Sequence, residues 1–435
     1  VIKGTGTRSR GTGADQTPFP GPIIAIALRS PLHQSHLLRR RRLHCAHCPQ
    51  LDIPMPARPV TRPQVASTLP AEAAKAPASV IRATASEKVA GQVDLDFNDH
   101  DPGTDEKPIG DDVSALARIG DTLFCATDEG SAIESLAWDG KAQRYGAHRC
   151  LPLADVFDLP DGDEGEMDIE GLAIDDGWLW IVGSHSLKRS KLRDGDDLSR
   201  LPEIKTDRNR CFLGRMPLVE RTPGMFEPVK RDGQRRAAAL HIRKDGSNAI
   251  RRRLGKDPLL APFMRVPAKE NGFDIEGLAV VGDRVFLGLR GPVISKVAML
   301  VELRIADGGR GGLKLAEVTE GLDYLLHPML LDGLGVRDLL YVDGRLLILG
   351  GASMGLSGPQ AIYALDAMPA RGHHLARDRI HRVMCLPIVD GADHAEGIVT
   401  HTDGSTQLLM VVCDSPAPAR RKDPRALRAD LYRMP

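Results

Sequence analysis

From about residue 90 onward, short apolar runs follow one another along the chain, each introduced by a turn. Asp176-Gly177 precedes Trp178-Leu179-Trp180-Ile181-Val182, Gly282-Asp283 precedes Val285-Phe286-Leu287, and Asp343-Gly344 precedes Leu346-Leu347. Runs this short, bounded by Gly and Asp, predict buried strands rather than helices. Ahead of two of these turns stands the same string: Asp168 to Ala173 returns unchanged as Asp274 to Ala279, Asp-Ile-Glu-Gly-Leu-Ala. Aligning other turns on these two places Ser114, Glu170, Glu276, Arg337 and Glu396 at one equivalent position, at intervals of 56, 106, 61 and 59 residues.

Third strands are expected at 132–138, 211–216, 298–303, 361–365 and 430–434, and fourth strands at 148–153, 226–230, 313–318 and 383–388. The last unit has no fourth strand of its own, and the alternating stretch 92–97 can supply it. Four-stranded antiparallel units repeated around an axis and closed by a strand from the other end describe an all-β propeller. Five blades are expected; six follow if the long interval hides a degenerate unit. The stretch 232–272, which holds Arg235 to Leu240 and Ile250 to Leu254, reads as a short helical insertion because helix formers outnumber β-branched residues.

The domain is therefore placed at 90–435, and residues 1–89 as a low-complexity leader. Thr5 to Gly13 and Pro59 to Ala85 are rich in Gly, Ser, Thr, Pro and Ala without periodicity, so the leader is expected to be disordered and dispensable. The chain opens with Val1, which makes Met55 a candidate initiator. His44-Cys45-Ala46-His47-Cys48 has zinc-like spacing but no second ligand pair, and reads as accidental. Gly21 to Leu28 is a poor signal core with no cleavage site, and seven irregularly spaced cysteines suit a reducing compartment. A cytoplasmic location is expected over a secreted or periplasmic one. The 58 basic and 58 acidic side chains balance, so neither nucleic acid nor an anionic membrane is an expected partner. A monomer that binds a small molecule or a protein is expected.

In a propeller, equivalent positions converge on the axis. Glu170, Glu276 and Glu396 should then form a partial ring with Arg337 and Ser114, with Asp168, Asp274 and Asp338 beside them. Three converging carboxylates need a positive partner. Arg337 is one candidate; Ca²⁺ held by Glu170, Glu276 and Glu396 is the other. Loops after the second strands add Asp128, Glu129, His185, Arg290, Ser353, Asp414 and Ser415. His185, Arg290 and Arg337 are the candidates for chemistry. The same repeated glutamates serve equally well as blade-building groups that accept backbone hydrogen bonds.

The strings Asn271 to Ala279 with Gly288 to Val293, and Asp168 to Ala173 with Gly183 to Ser186, resemble bacterial domain of unknown function 3616 over about 90–435. More distantly, the Glu-Gly repeats are similar to esterase-like phytase propellers. The resemblance implies a propeller and leaves the activity open. Two functions follow: a propeller that binds a ligand or partner over an acidic and arginine-lined axial pocket, or a Ca²⁺-dependent hydrolase of a phosphate ester with Arg290 and Arg337 clamping the anion. The lack of a nucleophile elbow, zinc helix or phosphate loop favours the first.

Overall fold

The computed structural model describes residues 87–97, 107–162, 165–190, 198–309, 311–375, 377–423 and 425–435. The expectations for the leader, including the His-Cys cluster, Met55 and the disorder of 1–85, lie outside these residues. The described residues are nearly all-β, with one α-helix, and are arranged in five blades. Their inner strands are Val113–Ile119, Ile169–Asp175, Asp274–Val281, Gly335–Val342 and His394–Asp403. Each inner strand contacts the next, and the fifth contacts the first, so the ring closes with no sixth unit.

The second strand of each blade is an unbroken apolar run because both of its faces are covered. In Arg345–Gly351, Leu346 and Ile348 pack toward the third blade, while Leu347 and Leu349 pack toward the fifth. The same division gives five separate apolar clusters, one between each pair of neighbouring blades. Alternation within a strand thus selects the neighbour, not core against solvent.

Strand Gly91–Asp96 lies antiparallel to Ala426–Arg433, with Gly91 opposite Leu431 and Leu95 opposite Leu427. It also meets the outer strand of the first blade in parallel, Leu95 opposite Tyr145. One strand therefore completes the last blade and ties it to the first. Burying Val93, Leu95 and Phe97 between those blades is the force that holds it.

The expected helical insertion is half right. Ala249–Leu254 is a short helix whose Asn248 side chain accepts the Arg251 N–H at 3.0 Å, with Ile250 and Leu254 fully buried. Arg235 to Leu240 is not helical. Arg235–Arg236 pairs with Arg231–Asp232, and Ala238–Leu240 pairs with Gly214 and Arg215 on one side and Gly312 and Leu313 on the other. Edge pairing on two sides overrides a weak local preference. The fourth strand of the third blade is Tyr324–Leu330, beyond the expected 313–318, which instead pairs with the outer end of the third strand.

The glycine after each repeated glutamate lies where the next blade's inner strand comes closest. A Cβ on Gly277 would stand 2.8 Å from Leu339 Cγ and 3.2 Å from the Asp338 carbonyl carbon. Because backbone is among the crowded atoms, Gly277→Ala should lower stability by about 1–3 kcal/mol. Urea denaturation checks this; an unchanged midpoint would mean that the blades can part at this point without cost.

Candidate functional site

Register explains why the equivalent positions face the axis. In every blade, the pairing of first and second strands skips one residue. The skipped residues are Ser114, Glu170, Glu276, Arg337 and Glu396. Each is the extra residue of a β-bulge, which turns its side chain out of the alternation. All five are buried, at 1–9% exposure.

What they do there differs. Ser114 donates to the Ile169 carbonyl at 2.5 Å and so fastens the first blade to the second. Arg337 holds two carboxylates: Nη1 lies 2.8 Å from Glu276 Oε2, and Nη2 contacts Glu396 Oε1. The arginine stem fits because Gly351 lies opposite it, where a Cβ would stand 2.8 Å from Arg337 Cγ. Arg290 bridges Asp274 at 2.6 Å and Glu276 at 2.5 Å. Arg210 reaches Glu166 at 2.7 Å and Asp168 at 2.9 Å, and donates to Ser186 Oγ at 2.7 Å.

Glu170 is the exception. It is 8% exposed, and among the described residues it forms no hydrogen bond or ion pair. Burial raises its pKa well above the usual carboxylate range, and the neighbouring Glu276, Asp168 and Asp274 raise it further; Arg290 opposes them. Burial likewise pushes Glu276 up to about 8, against two guanidinium groups that favour its charge. Asp128, on the loop after the second strand of the first blade, is pushed up to about 7 by burial and by Asp112, Asp168 and Asp414.

A cavity of ≈ 110 Å³ opens over this layer. Asp128, Glu129, Asp168, Glu170, Arg290, Glu396 and Asp414 line it, and loop residues Pro267 to Glu270 form a wall. Asp274 and Glu276 lie buried beside the layer and do not line the cavity. Two other expected residues point elsewhere. His185 is fully buried, its Nδ1 2.8 Å from the Gly183 carbonyl and its Nε2 2.7 Å from the Asn248 amide. Burial lowers its pKa to about 4, so it is a neutral packing group. Asp338 accepts the N–H of Ile398 at 2.8 Å and of Leu339 at 2.7 Å, joining the fourth blade to the fifth.

Ca²⁺ does not fit these residues. Among the described residues no group of three or more His, Cys, Asp or Glu side chains is disposed to hold a metal ion. Both Glu276 oxygens face arginines, and Arg337 occupies the place between Glu276 and Glu396 that a cation with oxygen ligands would need. An anion clamp is equally unserved, since Arg290 and Arg337 are each already held by two carboxylates. Sequence reasoning missed Arg210 and Lys269. Both come from excursions outside the repeat, which carry no equivalent in other blades.

A model of the family described as "Protein of unknown function (DUF3616)" matches residues 112–430. The chain belongs to this family. No curated protein matches its sequence. Among solved structures, this DUF3616 protein is similar to Kuenenia stuttgartiensis hydrazine synthase at 9% identity, covering 72% of this chain and 59% of that one, TM-score 0.28. It is similar to the exo-β-1,3-galactanase of Phanerochaete chrysosporium at 10% identity, covering 80% and 64%, TM-score 0.34. The Malassezia sympodialis allergen Mala s 1 aligns at 11% identity over 79% and 96%, TM-score 0.36. None of these likenesses bears on activity; the propeller rests on the strand pairing itself. Among the described residues no helix is long and apolar enough to cross a membrane.

Proposed function

We propose that this DUF3616 protein binds a small organic cation in the axial pocket. The carrying observation is Glu170, a buried carboxylate that lines the cavity without a partner among the described residues. Nature rarely leaves such a group unpaired, because the burial cost is then uncompensated. The charge around it supports the same reading. Arg210, Arg290, Lys188 and Arg189 are all ion-paired to carboxylates of the site. Among the described residues, Asp128 and Asp414 face the cavity with no ion pair, and Asp128 Oδ1 is buried without a hydrogen bond. Lys269 is the one lining cation without an ion pair among the described residues, against Glu170, Asp128 and Asp414, so the open positions are mostly negative, which suits an ammonium or guanidinium group. A phosphate-ester hydrolase would need the two arginines that carboxylates already hold.

Thermal shift with small amines and guanidines, matched against dicarboxylates and sugar phosphates, tests this. Cations should raise the melting temperature, and Glu170→Gln should abolish the response. Affinity should tighten as pH rises from about 6 to 8, because Asp128 loses its proton near 7 and then attracts the ligand. Stabilisation by the anions alone would overturn the proposal.

Glu170→Gln should also stabilise the free protein at pH values that ionise the carboxyl, by about 1–3 kcal/mol, because the amide fills the same place without an unpaired buried charge. The pKa is raised in the folded state, so stability is greatest below the unfolded value near 4.5 and falls as pH rises through the folded one. The gain from the amide should therefore grow with pH. A loss of stability at pH 8 would show that Glu170 builds the blade.

A further inference from the structure

We infer that the axial pocket continues into a second compartment with an apolar rim, beside His394, and that the ligand is an elongated amphipathic amine. Its ammonium group sits against Glu170 and its body lies along Met354 and Leu356. This rests on the cation reading and deepens it.

A second cavity, of ≈ 230 Å³, shares Lys269, Arg290, Glu396 and Asp414 with the axial one, so the two adjoin. Nearly every polar group around the second cavity is already used. Arg290 and Arg337 are ion-paired. Gln360 donates to the Pro387 and Asp393 carbonyls at 3.2 and 3.1 Å, and Ser415 donates to Asp414 at 3.1 Å. Besides Lys269 and Asp414, which both cavities share, what is open among the described residues is one buried ring nitrogen, His394 Nε2, which has no hydrogen-bond partner there.

The rim is apolar and exposed, with Met354 at 48% and Leu356 at 67%. It is also held in place. Met354 forms a β-bridge with Glu270, and the Gly355 N–H donates to the Lys269 carbonyl at 3.4 Å. A fully polar ligand would bring more hydroxyl groups than the few open partners here can meet, and would leave both apolar side chains in water. An alkyl or other apolar body with a single polar group near its far end satisfies the compartment.

The test uses the full chain and a series of primary alkylamines of increasing length, with and without a terminal hydroxyl, measured by calorimetry. Affinity should rise roughly two- to fourfold per methylene until the compartment is filled. A terminal hydroxyl at the matching length should add about two- to tenfold. His394→Ala should remove the hydroxyl gain, and Leu356→Asp, a change at an exposed position, should remove the chain-length gain. Amines that bind without any length dependence would overturn this inference and leave the cation site standing. If no amine binds at any length, the cation site itself is wrong, and this compartment's assignment falls with it.

Discussion

Removing the chain through Phe97 should abolish the stable fold. That deletion takes away Gly91–Asp96, which completes the fifth blade, and with it Val93, Leu95 and Phe97, each at most 3% exposed. Burying three such side chains contributes roughly 5–8 kcal/mol in all. That is comparable with the whole stability of an ordinary domain, about 5–15 kcal/mol. The deletion would also bare the edge of Ala426–Arg433, an invitation to pairing between molecules. Circular dichroism and size-exclusion chromatography should report loss of cooperative melting and growth of aggregates. A deletion ending at residue 85 is the control, since it removes none of the described residues. A peptide of residues 87–97 added in trans should restore part of the transition. A monodisperse protein with unchanged melting would mean that the ring closes without this strand.

Arg337→Met should cost about 3–5 kcal/mol, the usual result of removing one member of a buried ionic cluster. Methionine fills much of the same space, so the loss would be electrostatic. Glu276 would retain Arg290, but Glu396 would lose its one ion-pair partner among the described residues. The difference from the parent protein should shrink as pH falls, because protonation discharges the carboxylates that the arginine had balanced. Urea midpoints at pH 5 and pH 8 measure this. Adding Glu396→Gln to the methionine variant should recover stability at pH 8. A methionine variant that melts like the parent at pH 8 would show that Arg337 balances nothing.

Much of the blade architecture was legible because each strand is written in local chemistry. The turns at Asp176-Gly177, Gly282-Asp283 and Asp343-Gly344 mark first-to-second strand hairpins, and all three are found as such. Helical preference misled at Arg235 to Leu240, where no local signal announces that two blades will pair with that edge. The fourth strand at Tyr324–Leu330 was displaced for a related reason. The third strand, Val297–Gly309, is long enough to pair with two segments, and length alone does not say which lies within the blade.

The site divides along the same line. Repetition by itself determined which five residues are equivalent, since a chain that repeats its strand pattern repeats its geometry. It also marked Arg337 as the odd member. Only the tertiary structure decided what the equivalence means. It made each of those residues a bulge, assigned Ser114 to a backbone carbonyl, and placed Arg337 between two glutamates. It left Glu170 without a partner among the described residues and turned His185 away toward Asn248. A partner such as Arg210, and a cavity-lining cation such as Lys269, arrive from irregular excursions with no counterpart in other blades. The physical reason is that equivalence within a repeat is a property of local sequence. Charge compensation is instead a property of whatever the folded chain brings within a few ångströms.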